Sequence, residues 1–245
     1  MPDTATTLEL ADQLLSTAQA LLARMRPALS APDRPRCALF LTIVEQYESA
    51  LHLARIGLVT HSAVHVRSML EALVAMTLLG QDSGFVDQMR YERLRGEKKV
   101  YENVLANTTG LPPDQRVDLD ARLAACKAAF DPLHAKGLRP HVISKDFSKA
   151  GFEDLAAPYA MLCGFSHNDL FVLAYRHQGD QGMTYRAAVA PEVVLTIMSA
   201  AMVTLVAAAQ PLDGLAKFPD GHFEQHIGEM DRLLGVFLTA NAQSA

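Results

Sequence analysis

An arginine and a glutamate four residues apart, Arg67 and Glu71, lie inside one of the most apolar stretches of the chain, Ala63-Val64-His65-Val66-Arg67-Ser68-Met69-Leu70-Glu71-Ala72-Leu73-Val74. At helical period the two share a face. An ion buried there without a partner is costly, and breaking a buried pair typically costs ~3–5 kcal/mol. An arginine in this setting can hold an anion or a developing negative charge, with the carboxylate orienting it. The plainer alternative is an intrahelical ion pair that satisfies itself. A second polar spot comes much later, in Tyr159-Ala160-Met161-Leu162-Cys163-Gly164-Phe165-Ser166-His167-Asn168. His167 suits general acid or base chemistry near neutral pH. It equally suits a helix C-terminus, where it meets the dipole. Read as one site, the two spots give Arg67, Glu71 and His167 as catalytic candidates. Tyr159, Ser166 and Asn168 are then candidates for substrate binding.

Other chemistries find less support. His61 and His65 are four apart, as are His222 and His226, a spacing at which two imidazoles can share an ion. His222-Phe223-Glu224-Gln225-His226 lacks the glutamate directly after the first histidine that a zinc protease helix needs. Glu45, Glu48, His52 and Arg55 form a polar stripe facing either the interior or water, and the paired Glu-x-x-His of a diiron bundle is missing. We therefore expect no metal and no cofactor. The chain has no P-loop, no GxGxxG and no nucleophile elbow. Cys163 and His167 are four apart and could pair, although a cysteine is more often a small buried apolar group. Arg90, Arg93, Arg95, Lys98 and Lys99 could form a basic strip for RNA, but Glu92, Glu97 and Glu102 are interspersed among them, as on a solvated face.

The elements that must position these groups read almost throughout at helical period. The expectation is an all-α chain of about seven or eight helices forming a single helical bundle over residues 1–245. The helices are expected from Leu8 to about Arg26, where Pro27 ends or bends the first, from Arg36 to Leu58, and from Thr60 to Leu79, stopping at Gly80. A more polar helix follows to Asn107, and another runs from Asp114 to about Phe130. Residues 131–151 read as a loop or lid containing, at most, a short helix. Glu153–Phe165 is the next helix. Residues 170–189 resemble a small β-hairpin, with a helix end plus loop as the other reading. The last two helices run from Pro191 to about Gln210 and from His222 to about Asn241.

Half the residues are hydrophobic and the net charge is −5, which argues against a binder relying on overall basicity. Cys37, Cys126 and Cys163 lack paired spacing and read as reduced thiols. The N-terminus lacks the basic start and apolar core of a signal peptide. Val193–Ala209 is uncharged but short for a span and has no basic flanks, so it reads as a core helix. A cytoplasmic protein with no membrane partner is expected, and a homo-oligomer is compatible with these features.

The run Ser62-Ala63-Val64-His65-Val66-Arg67-Ser68-Met69-Leu70-Glu71, followed by Tyr91, Lys98-Lys99, Tyr159 and Ser166-His167, resembles the DUF5677 family, all-helical bacterial proteins of unknown function. The resemblance covers roughly residues 35–210. It rests on an Arg-Ser-x-x-Glu helix followed much later by a tyrosine and a serine–histidine pair near a helix end. Ser166 and His167 are adjacent here, where a wider spacing is the expected pattern. The resemblance implies a shared polar site at Arg67, Glu71 and His167, and supplies no reaction. A weaker analogy is to the HEPN helical ribonucleases, through Arg55-Ile56-Gly57-Leu58-Val59-Thr60-His61, which lacks their polar neighbour. Two functions follow from these residues. One is a metal-independent hydrolase acting on RNA or a nucleotide phosphodiester, with RNA or a nucleotide as ligand. The other is a non-catalytic helical binding or scaffold protein whose polar cluster fixes helix register.

Overall fold

The computed structural model describes residues 3–167, 170–179 and 182–242. Its α-helices, in chain order, are α1 (Thr4–Leu22), α2 (Asp33–Arg55), α3 (Val59–Gln81), α4 (Phe85–Asn107), α5 (Pro113–Ala135), α6 (Ile143–Ala150), α7 (Ala156–Ser166), α8 (Leu170–His177), α9 (Pro191–Ala209) and α10 (His222–Ala242). Strands of two residues each form two antiparallel pairs. β1 (Arg26–Pro27) pairs with β4 (Ala216–Lys217), and β2 (Gln178–Gly179) pairs with β3 (Gly182–Met183). The fold is therefore all-α, with more helices than expected because the later part of the chain is cut into shorter ones. The chain divides into two compact units, Met1–Gly80 with Phe147–Ala245, and Gln81–Asp146.

In the first unit, α9 is the buried helix. Its small and flexible apolar side chains, Ile197, Met198, Ala201, Met202 and Leu205, have no solvent exposure. They pack against α1, α2 and α10. Each fully buried Leu, Ile or Met of this kind contributes about 1.5–3 kcal/mol. Pro191 opens α9, at a position where a missing N–H costs no helical bond. Thr204 within it satisfies its own hydroxyl on the Ala200 carbonyl at 2.6 Å. The uncharged run of α9 is thus a core helix of this unit. Both α3 and the α9 segment are long and apolar enough to cross a membrane, but more than half of each is buried within the protein.

The same unit shows why some helix ends differ from the sequence pattern. α1 begins at Thr4, because Asp3 caps it by accepting a hydrogen bond from the Thr6 N–H at 2.6 Å. It ends at Leu22, ahead of Pro27, because Arg26 and Pro27 pair with Lys217 and Ala216. α2 ends at Arg55, two residues before Gly57, whose φ of +77° suits a residue without a side chain. α3 passes through Gly80 to Gln81. A Cβ at Gly80 would lie 2.7 Å from the Arg36 guanidinium, whose Nε donates to the Met76 carbonyl near the helix end. Glycine there makes room for an arginine that caps α3. Tyr47, buried on α2, donates its hydroxyl to the Ala11 carbonyl of α1 at 2.9 Å.

Residues 170–177 are helix α8, not a strand, so the hairpin is confined to the β2–β3 pair. Residues 131–151 do hold a short helix, α6.

The second unit is a helical hairpin of α4 and α5. Tyr91, Leu94, Cys126, Phe130 and Leu133 form its core. Tyr91, Phe130 and His134 stack, with Tyr91 and Phe130 centroids 4.9 Å apart and Phe130 and His134 centroids 5.5 Å apart. α5 continues through Pro132 to Ala135, past the expected end at Phe130, because Leu133 still faces the core and His134 stacks on Phe130.

Candidate functional site

Arg67 and Glu71 occupy successive turns of α3, and Arg67 Nε donates to Glu71 Oε1 at 3.0 Å. Tyr159 reaches the same oxygen from α7, its hydroxyl donating at 2.8 Å. One carboxylate oxygen therefore ties two helices together. The Arg67 guanidinium also lies 5.5 Å from the centre of the Tyr159 ring, within cation–π range. Phe147 packs against the Tyr159 ring at 4.9 Å.

The electrostatics follow from this geometry. Burial, and then the hydrogen bond to Glu71, raise the Tyr159 phenol well above the ordinary tyrosine range, so it acts as a donor and not as a base. Burial alone would lower the Arg67 pKa, but the Tyr159 hydroxyl and the Glu71 carboxylate outweigh it and the net shift is upward. Cys163, one turn beyond Tyr159 on α7, also interacts with the Tyr159 hydroxyl and with Arg67.

The pair is not sealed. The Arg67 side chain is 28 % exposed and that of Glu71 is 39 % exposed, so the cost of breaking it falls well below that of a fully buried ion pair. Among the described residues, no acceptor is hydrogen-bonded to Nη1 or Nη2 of Arg67.

The other expected site residues are placed differently. The Ser166 hydroxyl donates to the Leu162 carbonyl one turn back, at 3.0 Å, and so serves its own helix. His167 is exposed on the turn that ends α7, with its backbone N–H donating to the Gly164 carbonyl. Among the described residues, no hydrogen bond or ion pair joins the His167 side chain to Arg67 or Glu71. Asn168 lies outside the described residues. The structure thus brings together Arg67, Glu71 and Tyr159, with Cys163 beside them.

The remaining candidate constellations resolve into local contacts. His65 Nδ1 meets Gln46 Oε1 at 2.6 Å, and burial holds its pKa below the ordinary histidine value. His226 Nδ1 bonds to the His222 carbonyl at 2.7 Å. Among the described residues, no three His, Cys, Asp or Glu side chains converge as metal ligands. Glu45, Glu48, His52 and Arg55 face solvent. In the second unit, Arg95 pairs with Glu92 at 2.8 Å and Lys98 with Glu102 at 2.8 Å, so much of the basic strip is neutralised by its own glutamates.

One pair escaped sequence reasoning. His141 Nδ1 makes a short hydrogen bond to the carboxylate of Asp146, which is almost fully buried. The His141 backbone N–H donates to Glu92 Oε1 at 2.8 Å, and Phe85 packs edge-on against the ring at 5.3 Å. The carboxylate fixes the imidazole's orientation. The only available signal was an acid in the first turn of α6 five residues after a histidine, within a stretch that reads as loop.

The chain belongs to DUF5677, a family of unknown function, whose sequence profile matches residues 34–184, more than half of the chain. The match includes Arg67, Glu71, Tyr159 and His167, and ends before α9. No curated protein and no solved structure matches significantly. The analogy to HEPN ribonucleases gains nothing from these comparisons.

Proposed function

We propose that the chain is a non-catalytic helical binding or scaffold protein in which Arg67, Glu71 and Tyr159 fix the register of α3 against α7. The observation that carries this reading is the double use of Glu71 Oε1, which accepts from both Arg67 Nε and the Tyr159 hydroxyl. A carboxylate oxygen shared by donors from two helices is what a structural cluster requires. The protonated Tyr159 adds a donor and not a base.

A metal-independent hydrolase acting on RNA or a nucleotide phosphodiester is the second reading, and one feature favours it. Tyr159, Cys163 and His167 follow one another at four-residue intervals along α7 and the turn after it, so His167 continues the stripe that meets Arg67. Arg67 would hold the phosphate through Nη1 and Nη2, Glu71 would orient it, and His167 would move the proton. Cleavage of mixed RNA in the presence of chelator separates the two readings. The scaffold reading predicts no cleavage by the wild type, and a melting temperature lowered in Arg67→Ala but not in His167→Ala. Chelator-resistant cleavage that disappears in His167→Ala, with the fold intact, would replace it with the hydrolase.

A further inference from the structure

We propose that the cavity beside the end of α1 and the β1–β4 pair binds a small phosphate or pyrophosphate ester. The protein leaves positive charge unmatched here. Arg26 and Lys217 are directly opposite each other across β1 and β4. Arg24 and Phe218 line the same cavity, whose volume is about 520 Å³. Like charges facing each other across a strand pair repel. Many of the other arginines are held by an acceptor. Arg36, Arg55 and Arg95 pair with carboxylates, and Arg116, Arg139 and Arg186 donate to backbone carbonyls. Among the described residues, no carboxylate lies within ion-pair distance of Arg24, Arg26 or Lys217. This concentration of cations stands out in a chain whose net charge is −5.

The C-terminal dipole of α1 accounts for one cation near its end. It does not account for two that oppose each other on the strands that follow. An anion between them turns their repulsion into shared attraction, through charge-assisted hydrogen bonds of the kind arginine forms with phosphate. The cavity lies within the range of about 300–1,000 Å³ typical of small-molecule sites, which leaves room beyond a phosphate group for the rest of the ligand. Phe218, whose ring stacks on His222 at a centroid distance of 6.2 Å, supplies an apolar wall for that remainder. None of these residues belongs to the Arg67 cluster, so the inference stands independently of the reading given to that cluster.

Calorimetric titration of the full chain at low salt, with inorganic pyrophosphate and with ADP as probes, tests the site. The expected result is saturable binding that weakens as salt is added. Arg26→Gln and Lys217→Gln should each weaken it by about tenfold. Arg90→Gln, which removes an exposed cation of the second unit, should leave it unchanged. Absence of binding by the wild type, or an equal loss in Arg90→Gln, overturns the proposal. Melting curves give a second readout. In phosphate-free buffer Lys217→Gln should melt above the wild type, because a repulsion has been removed, and pyrophosphate should raise the wild type more than the variant. A variant that melts below the wild type in phosphate-free buffer contradicts the repulsion on which the proposal rests.

Discussion

Tyr159 couples the polar cluster to pH. Its folded-state pKa is raised, first by burial and then by the Glu71 carboxylate, so the folded protein holds the phenolic proton more tightly than the unfolded chain does. Stability from this group is fully present below the unfolded tyrosine value of about 10 and is lost as the pH rises above it. Tyr47, raised by burial and then by Asp12, acts in the same direction. Denaturant melts between neutral and strongly alkaline pH should therefore show the wild type weakening above pH ~10, and Tyr159→Phe weakening less steeply while retaining the Tyr47 contribution. An unchanged slope would mean that the phenol is not desolvated. Arg67 and Arg93 make a second comparison. Arg67→Ala leaves Glu71 short of a donor and removes the cation beside the Tyr159 ring in a half-exposed setting, so it should cost about 1–2 kcal/mol. Arg93 reaches Glu97 only at 3.8 Å and is well exposed, so Arg93→Ala should stay within about ±0.5 kcal/mol. Equal, small shifts in thermal melts would mean that the Arg67 cluster contributes no more than a surface pair. At this scale the sequence identified Arg67, Glu71 and Tyr159, because charged residues at helical spacing in an apolar run require partners. It could not reveal that one carboxylate oxygen serves both donors, since that depends on the register of two segments far apart in the chain.

The helices were legible where one face is apolar over many turns. The runs in α1, α2, α3, α9 and α10 made those elements readable, and errors gathered at their ends, where long-range partners decide. Gly80 has the composition of a helix stop, but Arg36 caps α3 beyond it. Residues 170–177 alternate poorly but hold Phe171, Val172 and Tyr175, which favour strands, so strand and helix patterns compete, and the helix prevails. α6 was hidden in a stretch with lysines, prolines and glycines, and the His141–Asp146 pair was hidden with it. The hairpin of α4 and α5 depends on its aromatic stack more than on an apolar stripe. Phe130→Ala removes the ring that stacks on both Tyr91 and His134 and should destabilise the second unit by about 3–5 kcal/mol, as truncation of a core phenylalanine does. Hydrogen exchange resolved by residue should place that loss in α4 and α5. Unchanged protection there would show that the stack is not the core of this unit.

For the molecule as a whole, the Arg67–Glu71–Tyr159 cluster and the Arg24, Arg26 and Lys217 cavity use charge in opposite ways. In the first, complementary groups from two helices satisfy one another; in the second, cations are gathered without a counterion from the described residues. The proposed scaffold reading rests on the first of these, where Glu71 Oε1 accepts from both helices. The most direct test is a double-mutant cycle of Arg67→Ala and Tyr159→Phe, measured by denaturant unfolding at neutral pH. Both side chains donate to Glu71 Oε1, so the cycle should show an interaction energy of about 0.5–1 kcal/mol between residues on different helices. Additivity within about 0.3 kcal/mol would mean that the two act independently, and would contradict the claim that they form one structural cluster joining α3 to α7.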